Sequence, residues 1–134
     1  DGTTWLEQTS GTTNNLNGVI YGNNTFMTVG NGGAILTSPN GTTWTEQDSG
    51  TTNRAFQGVT YGNNTFVTVG NTGAVYTSPD GLTWTLREVQ YFSTNLTIGH
   101  VSMLHGIFHH GSGVLRLLQA MKIPSSGGLP KNRS

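Results

Sequence analysis

No cysteine occurs among the 134 residues, so disulfides and thiol chemistry are excluded and the redox compartment stays open. Charge is scarce: charged residues make up 9%, six basic against six acidic. Attraction to nucleic acid or to an anionic membrane therefore has little to act through. Hydrophobic residues reach only 33%, no run approaches the length of a membrane span, and no stretch reads as a signal peptide. What fills the chain instead is glycine, 20 residues of it, with abundant threonine and asparagine. Taken alone, that composition suggests low-complexity disorder. The order in which these residues recur argues for many short strands joined by tight turns.

One stretch recurs. Thr77-Ser78-Pro79-Asp80-Gly81-Leu82-Thr83-Trp84 matches Thr37-Ser38-Pro39-Asn40-Gly41-Thr42-Thr43-Trp44, and its end returns as Asp1-Gly2-Thr3-Thr4-Trp5. The three tryptophans of the chain, Trp5, Trp44 and Trp84, all stand at this one place. Proline fixes φ, Asp or Asn caps nearby amides, and glycine accepts φ > 0, so Pro-Asp-Gly or Pro-Asn-Gly between β-type runs is a turn. Gly41 and Gly81 are expected at positive φ, and Ser38 and Ser78 add a hydroxyl to the local network. Trp44 and Trp84 are expected as buried packing residues, because an identical placement in each copy suits packing better than a specific ligand platform.

The unit around this turn spans 39 to 40 residues. Leu16 to Gly30 returns as Phe56 to Gly70, and Gly33-Ala34-Ile35-Leu36 returns as Gly73-Ala74-Val75-Tyr76. Each unit contains four strand-sized runs, near 16–21, 25–29, 34–38 and 43–48, then near 56–61, 65–69, 74–78 and 83–88. Gly/Asn-rich hairpin links join them. The second run (Phe26, Met27, Val29) is apolar on both faces, as in a strand sandwiched between sheets. A period near 40 with four strands marks propeller blades, so the fold class is all-β, built of four-stranded antiparallel β-propeller blades, about three per chain. The expected division is an outer strand at 1–10, blades at 11–49 and 50–90, a degenerate blade at 91–118, and a disordered tail at 119–134. The degenerate unit rests on laying Val101–Phe108 over Val59–Phe66 at an offset of 42, with Gly111 to Leu115 standing for the next link and third strand. A rival reading makes Gly113 to Ile123 a short amphipathic helix or a foreign C-terminus. The chain starts within the repeat, as a mature product or a piece of a longer protein would.

The Ser-(Pro)-Asp/Asn-Gly-x-Thr-Trp turn resembles the Asp-box of BNR-type, sialidase-like β-propellers, one residue shorter here and with Asn40 for Asp in one copy. The resemblance covers residues 1–88 well and extends faintly to 118. It implies a structural role for Gly2, Trp5, Ser38, Asn40, Gly41, Trp44, Ser78, Asp80, Gly81 and Trp84. Sialidase-like catalysis would require three clustered arginines, a Tyr–Glu pair and an acidic residue. The chain has only Arg54, Arg87, Arg116 and Arg133, none in a family site motif, and Tyr21 and Tyr61 are repeat equivalents suited to packing. Glu7 and Glu46 are likewise equivalents, not the paired carboxylates that glycoside hydrolysis needs. No catalytic residue is assigned.

His100, His105, His109 and His110 all fall in the degenerate unit, where His109 and His110 would face opposite sides of a strand and no carboxylate follows Glu88. No metal or other cofactor is expected. Sequons stand at Asn23, Asn40, Asn63, Asn95 and Asn132, a number that an Asn/Thr-rich chain produces by chance. The expected function is a non-catalytic binding or scaffold module, exported or at the cell surface, which meets a glycan or protein partner through loops on one face. Neither nucleic-acid binding nor membrane insertion is expected. Two alternatives come from the resemblance: a fragment of a larger sialidase-like or glycoside-hydrolase-like enzyme, and an Asp-box assembly factor that binds a membrane-complex protein. Since three blades do not close a ring, a homodimer forming six blades is the expected assembly, each N-terminal strand completing a blade in its own chain or in its partner; the competing reading is a piece of a longer propeller.

Overall fold

The computed structural model describes residues 1–87, 98–104, 107–112 and 119–121, with side chains described at 1–87 and 99–102. Among them the protein is all-β: antiparallel sheets, two short 3-10 turns and no α-helix. The first sheet runs β1 (Leu16–Gly22), β2 (Thr25–Gly30), β3 (Ile35–Ser38) and β4 (Thr45–Gln47), adjacent in chain order. The second repeats it with β5 (Phe56–Gly62), β6 (Thr65–Gly70), β7 (Val75–Ser78) and β8 (Thr85–Arg87). The third has β9 (Ile98–Leu104), β10 (Ile107–Ser112) and β11 (Gln119–Met121), with β10 in the middle.

The strands end where the turn chemistry ends them. Asn23 and Asn24 sit at φ 49° and 55°, and Asn63 and Asn64 at 47° and 54°. Two successive left-handed residues make the hairpin turn whose twist matches its strands, and asparagine is the non-glycine residue that tolerates this best. The β2–β3 link is the 3-10 turn Asn31–Gly33, with Gly32 at φ 67°; in its repeat, Asn71–Gly73, Thr72 takes the same conformation at φ 53°. In the first two units every expected strand is present, with bounds no more than two residues from those read in the sequence.

β9 and β10 reproduce β5 and β6 at the expected offset of 42. Val101 pairs with His110 as Val59 pairs with Thr68, and Ile98 pairs with Ser112 as Phe56 pairs with Gly70, each ladder carrying an irregularity at the same end. The third strand is placed differently from the sequence reading. It is β11, paired through Phe108↔Met121 and Gln119↔His110, and so it lies past residue 118 and inside the stretch assigned to the tail. A helix carried through to 123 is therefore not what residues 119–121 form. The rest of that helix (113–118), the tail from 122 onward, Asn95 and Asn132 lie outside the described residues. The outer strand expected within 1–10 is absent: residues 1–15 belong to no strand.

The sheets stack face to face, approaching along their first strands, β1 on β5 and β5 on β9. Glycine makes the approach possible. A Cβ on Gly18 would lie 3.3 Å from Gly58 Cα, and one on Gly58 would lie 3.5 Å from the Gly99 carbonyl oxygen and His100 Cα. Between the first two sheets Met27, Val29 and Ile35 meet Phe56, Val59, Phe66, Ala74 and Tyr76 in one core. On the other face of β6, Val67 and Val69 are also fully buried. The two-sided apolar pattern of the second strand is thus that of a sheet covered on both faces.

Candidate functional site

Pairing of Phe26 with Ser38 and of Gly22 with Thr25 places the β1–β2 hairpin and the β3–β4 turn at the same end of the first sheet. The second sheet does the same with Asn63-Asn64 and the Asp80 turn. At that end Asn23, Asn24, Asn40, Thr42, Thr43, Asn63, Asn64, Asp80, Leu82 and Thr83 are all exposed. Side-chain amides and hydroxyls, repeated from sheet to sheet, dominate this surface.

Each turn is locked from within. Asp80 Oδ1 accepts the backbone N–H of Leu82 at 2.8 Å and of Thr83 at 2.9 Å, and the Ser78 hydroxyl at 3.1 Å. The buried Ser78 hydroxyl in turn accepts the Gly81 N–H at 2.8 Å. Asn40 reproduces the pattern without a charge, accepting from Thr42 at 2.9 Å, Thr43 at 3.0 Å and Ser38 at 3.2 Å. The first copy keeps it at the N-terminus, where Asp1 accepts from Thr3 at 3.1 Å and Thr4 at 3.2 Å. Gly2, Gly41 and Gly81 stand at φ 75°, 77° and 79°, the left-handed conformation their turn position was expected to need. The N–H groups of Thr83 and Leu82 hold the Asp80 carboxyl below its ordinary pKa, because they bond its charged form.

The tryptophans use their polar edge locally. The indole N–H of Trp5, Trp44 and Trp84 donates to the carbonyl three residues earlier, Gly2, Gly41 and Gly81, at 3.2, 3.1 and 3.2 Å. Burial departs from the sequence expectation. Trp84 is half-buried, packed against the core between the first two sheets; Trp44 is half-buried, and Trp5 is 85% exposed. The indole is a brace for its turn, half-buried where a paired fourth strand follows it and exposed where none does.

The remaining candidates are dispersed. Arg87 donates from Nε to Thr77 Oγ1 at 2.8 Å, in the place where Gln47 donates from Nε2 to Thr37 Oγ1 at 2.8 Å, so it holds β8 to β7. Arg54 is engaged through its backbone carbonyl, which accepts the Gly33 N–H. Arg116 and Arg133 lie outside the described residues. Tyr21 and Tyr61 lie against Phe26 and Phe66, with ring centroids 4.6 and 4.5 Å apart, as packing residues do. Glu7 and Glu46 are exposed in equivalent positions. His100 is exposed, His109 and His110 are consecutive in β10, and His105 is outside the described residues. Among the described residues no group of three His, Asp or Glu side chains is placed to hold a metal ion.

One contributor has no motif to announce it. Asn17 sits at the irregularity between Leu16 and Gly18, and its amide nitrogen donates to the Phe56 carbonyl at 2.8 Å and to Asn31 Oδ1 at 3.0 Å. A bulge turns a side chain out of the alternation of its strand, and here it ties the first sheet to the second. Comparison with protein-family models, with curated proteins and with solved structures finds no match to the chain.

Proposed function

We propose that the stacked sheets are β-propeller blades of the Asp-box kind, and that the chain is a non-catalytic binding or scaffold module. Its partner, a glycan or a protein surface rich in hydroxyl and amide groups, is met at the end that carries the Asn-Asn hairpins and the box turns. Support for the blades comes from the 40-residue unit of four adjacent antiparallel strands and from stacking along the first strand of each sheet. The observation that carries the functional reading is the commitment of the box carboxylate of the second sheet. Asp80 Oδ1 is engaged by two backbone N–H groups and a hydroxyl of its own turn, which suits a structural anion and not a general acid or base. The side chains exposed along this end are mostly neutral and polar, repeated from sheet to sheet.

A glycan array run beside a pull-down separates the two partner classes. The informative variant is Asn24→Gly with Asn64→Gly, which keeps the left-handed turn and removes two exposed amides. Retention on the array or by a purified partner should fall at least tenfold, with an unchanged melting temperature. Binding that survives the double substitution, or no binding in either format, would overturn the assignment of this end.

A further inference from the structure

The two ends of the stack are each incomplete, and each lacks what the other offers. At one end, residues 1–5 form the Asp-to-Trp half of a box turn, and the strand that should follow it is unpaired: Trp5 is 85% and Leu6 77% exposed. By the repeat, Leu6, Glu7 and Gln8 stand where Thr45–Gln47 form β4, the fourth strand of the first sheet. At the other end, the third sheet has three strands and stops at β11, with no fourth strand among the described residues.

A second observation points the same way. Along β1 the outward face of the first sheet exposes Leu16, Val19 and Tyr21, with Val19 66% and Tyr21 56% accessible, while Thr28 and Leu36 on the same face are buried. The equivalents of the three exposed residues in the second sheet are Phe56, Val59 and Tyr61; Phe56 is 0% and Val59 8% exposed, and all three pack in the core against the first sheet. The surface that covers them is a neighbouring sheet of the same repeat. The exposed face is therefore shaped for another such sheet, and the unpaired strand is the one that sheet would need.

We propose that the N-terminal segment of one copy adds to β11 of a second copy as its fourth strand, which seats that copy's third sheet on the outward face of the first. The register follows from the ladders. Thr37 pairs with Thr45 and Leu36 with Glu46 in the first sheet, while Ala120 and Gln119 hold the corresponding places opposite His109 and His110. Leu6 therefore pairs with Ala120 and Glu7 with Gln119, antiparallel. A second copy is required because the segment and β11 lie at opposite ends of a stack of three sheets, and rings of this kind close with about four to eight. The exchange, made twice, gives a closed six-sheet dimer. It rests on the blade reading above and is independent of what the polar end binds.

The absence of native cysteine makes a direct test clean. Leu6→Cys and Ala120→Cys are prepared as separate variants, mixed at micromolar concentration, oxidised and digested. Directly opposed strand positions lie within disulfide reach. The expected product has twice the 14.3 kDa chain mass and contains a peptide joining positions 6 and 120. Glu7→Cys mixed with Ala120→Cys, one residue out of register, should give at least tenfold less. Circular dichroism of each single variant confirms that it is folded, and light scattering of the unsubstituted chain reads the same assembly without any substitution. A folded pair that gives no joined peptide, equal yields in and out of register, or a stable monomer by scattering would each overturn the proposal. So would a doubly substituted chain that links only to itself. A negative glycan array beside a positive cross-link would remove the ligand assignment and leave the strand exchange standing.

Discussion

Asp80 and Asn40 are the same part in two charge states, which lets the turn's electrostatics be separated from its geometry. Both accept two backbone N–H groups and a serine hydroxyl at distances within 0.1 Å of each other. The difference is that Asp80 titrates, with a folded pKa below its ordinary value. A carboxyl depressed in this way contributes stability that is present above its unfolded pKa and lost as pH falls through the folded pKa. Because the group is exposed, solvent screening keeps that contribution small. Asp80→Asn should therefore leave the melting temperature near neutral pH almost unchanged and make the fall in stability on acidification shallower. Melting curves taken between pH 7 and pH 2 check this; an acid limb identical to that of the unsubstituted chain would show that the bonds to Leu82 and Thr83 contribute nothing through charge. This residue-level chemistry was legible in the sequence, because a Pro-Asp-Gly turn needs only its own neighbours to form. The depth of the tryptophans was not. Trp5, Trp44 and Trp84 make the same local hydrogen bond, yet the two beside a paired fourth strand are half-buried and Trp5, beside an unpaired segment, is exposed.

The strand is where repetition and environment part company. Phe26 and Phe66 occupy the same ladder position, each paired with a tyrosine, Tyr21 and Tyr61. Phe66 is fully buried because the first sheet lies over it, whereas Phe26 is only half-buried. Phe66→Ala should cost about 3–5 kcal/mol, the range for emptying a packed aromatic site, and Phe26→Ala about 1–2 kcal/mol, since less transfer and cavity energy is at stake. Denaturant unfolding of the two variants measures the difference, and equal losses would mean that sheet stacking adds little to either site. The same distinction explains which strands the sequence revealed. β1 to β8 are set by hairpins whose glycine and asparagine residues are local, so their bounds could be read directly. The outer strand expected within 1–10 finds no edge to pair with among the described residues, and β11 follows a link that has lost the Gly-Asn-Gly-Gly pattern, so its place could not be counted from the repeat. The Asn17 bulge was hidden for a related reason, since its partner, the Phe56 carbonyl, belongs to another sheet.

At the scale of the whole molecule, a stack whose main contacts among the described residues run between adjacent sheets behaves as a one-dimensional array, with opening that begins at the ends. The second sheet is the interior member: Phe66 faces the first sheet, Val67 and Val69 lie on the opposite face, and all three are fully buried. The first sheet has one face in the core and Val19 and Tyr21 on the other, exposed. Native-state hydrogen exchange should therefore show its slowest amides in β6 and β7, at the global unfolding free energy, with β1 and β4 opening at lower free energy. Gly18 and Gly58 sharpen the expectation, because the close approach of β1 to β5 ties the inner strands more firmly than the outer ones. Protection in β1 should exceed that in β4 for this reason, although β1 carries the larger exposed apolar face. Repeating the measurement across protein concentration adds a second axis: if another sheet seats on Val19 and Tyr21, protection in β1 rises with concentration while that in β6 does not. Uniform protection across all eight strands of the first two sheets, at every concentration, would mean that the stack unfolds as a single unit whose ends are no weaker than its centre.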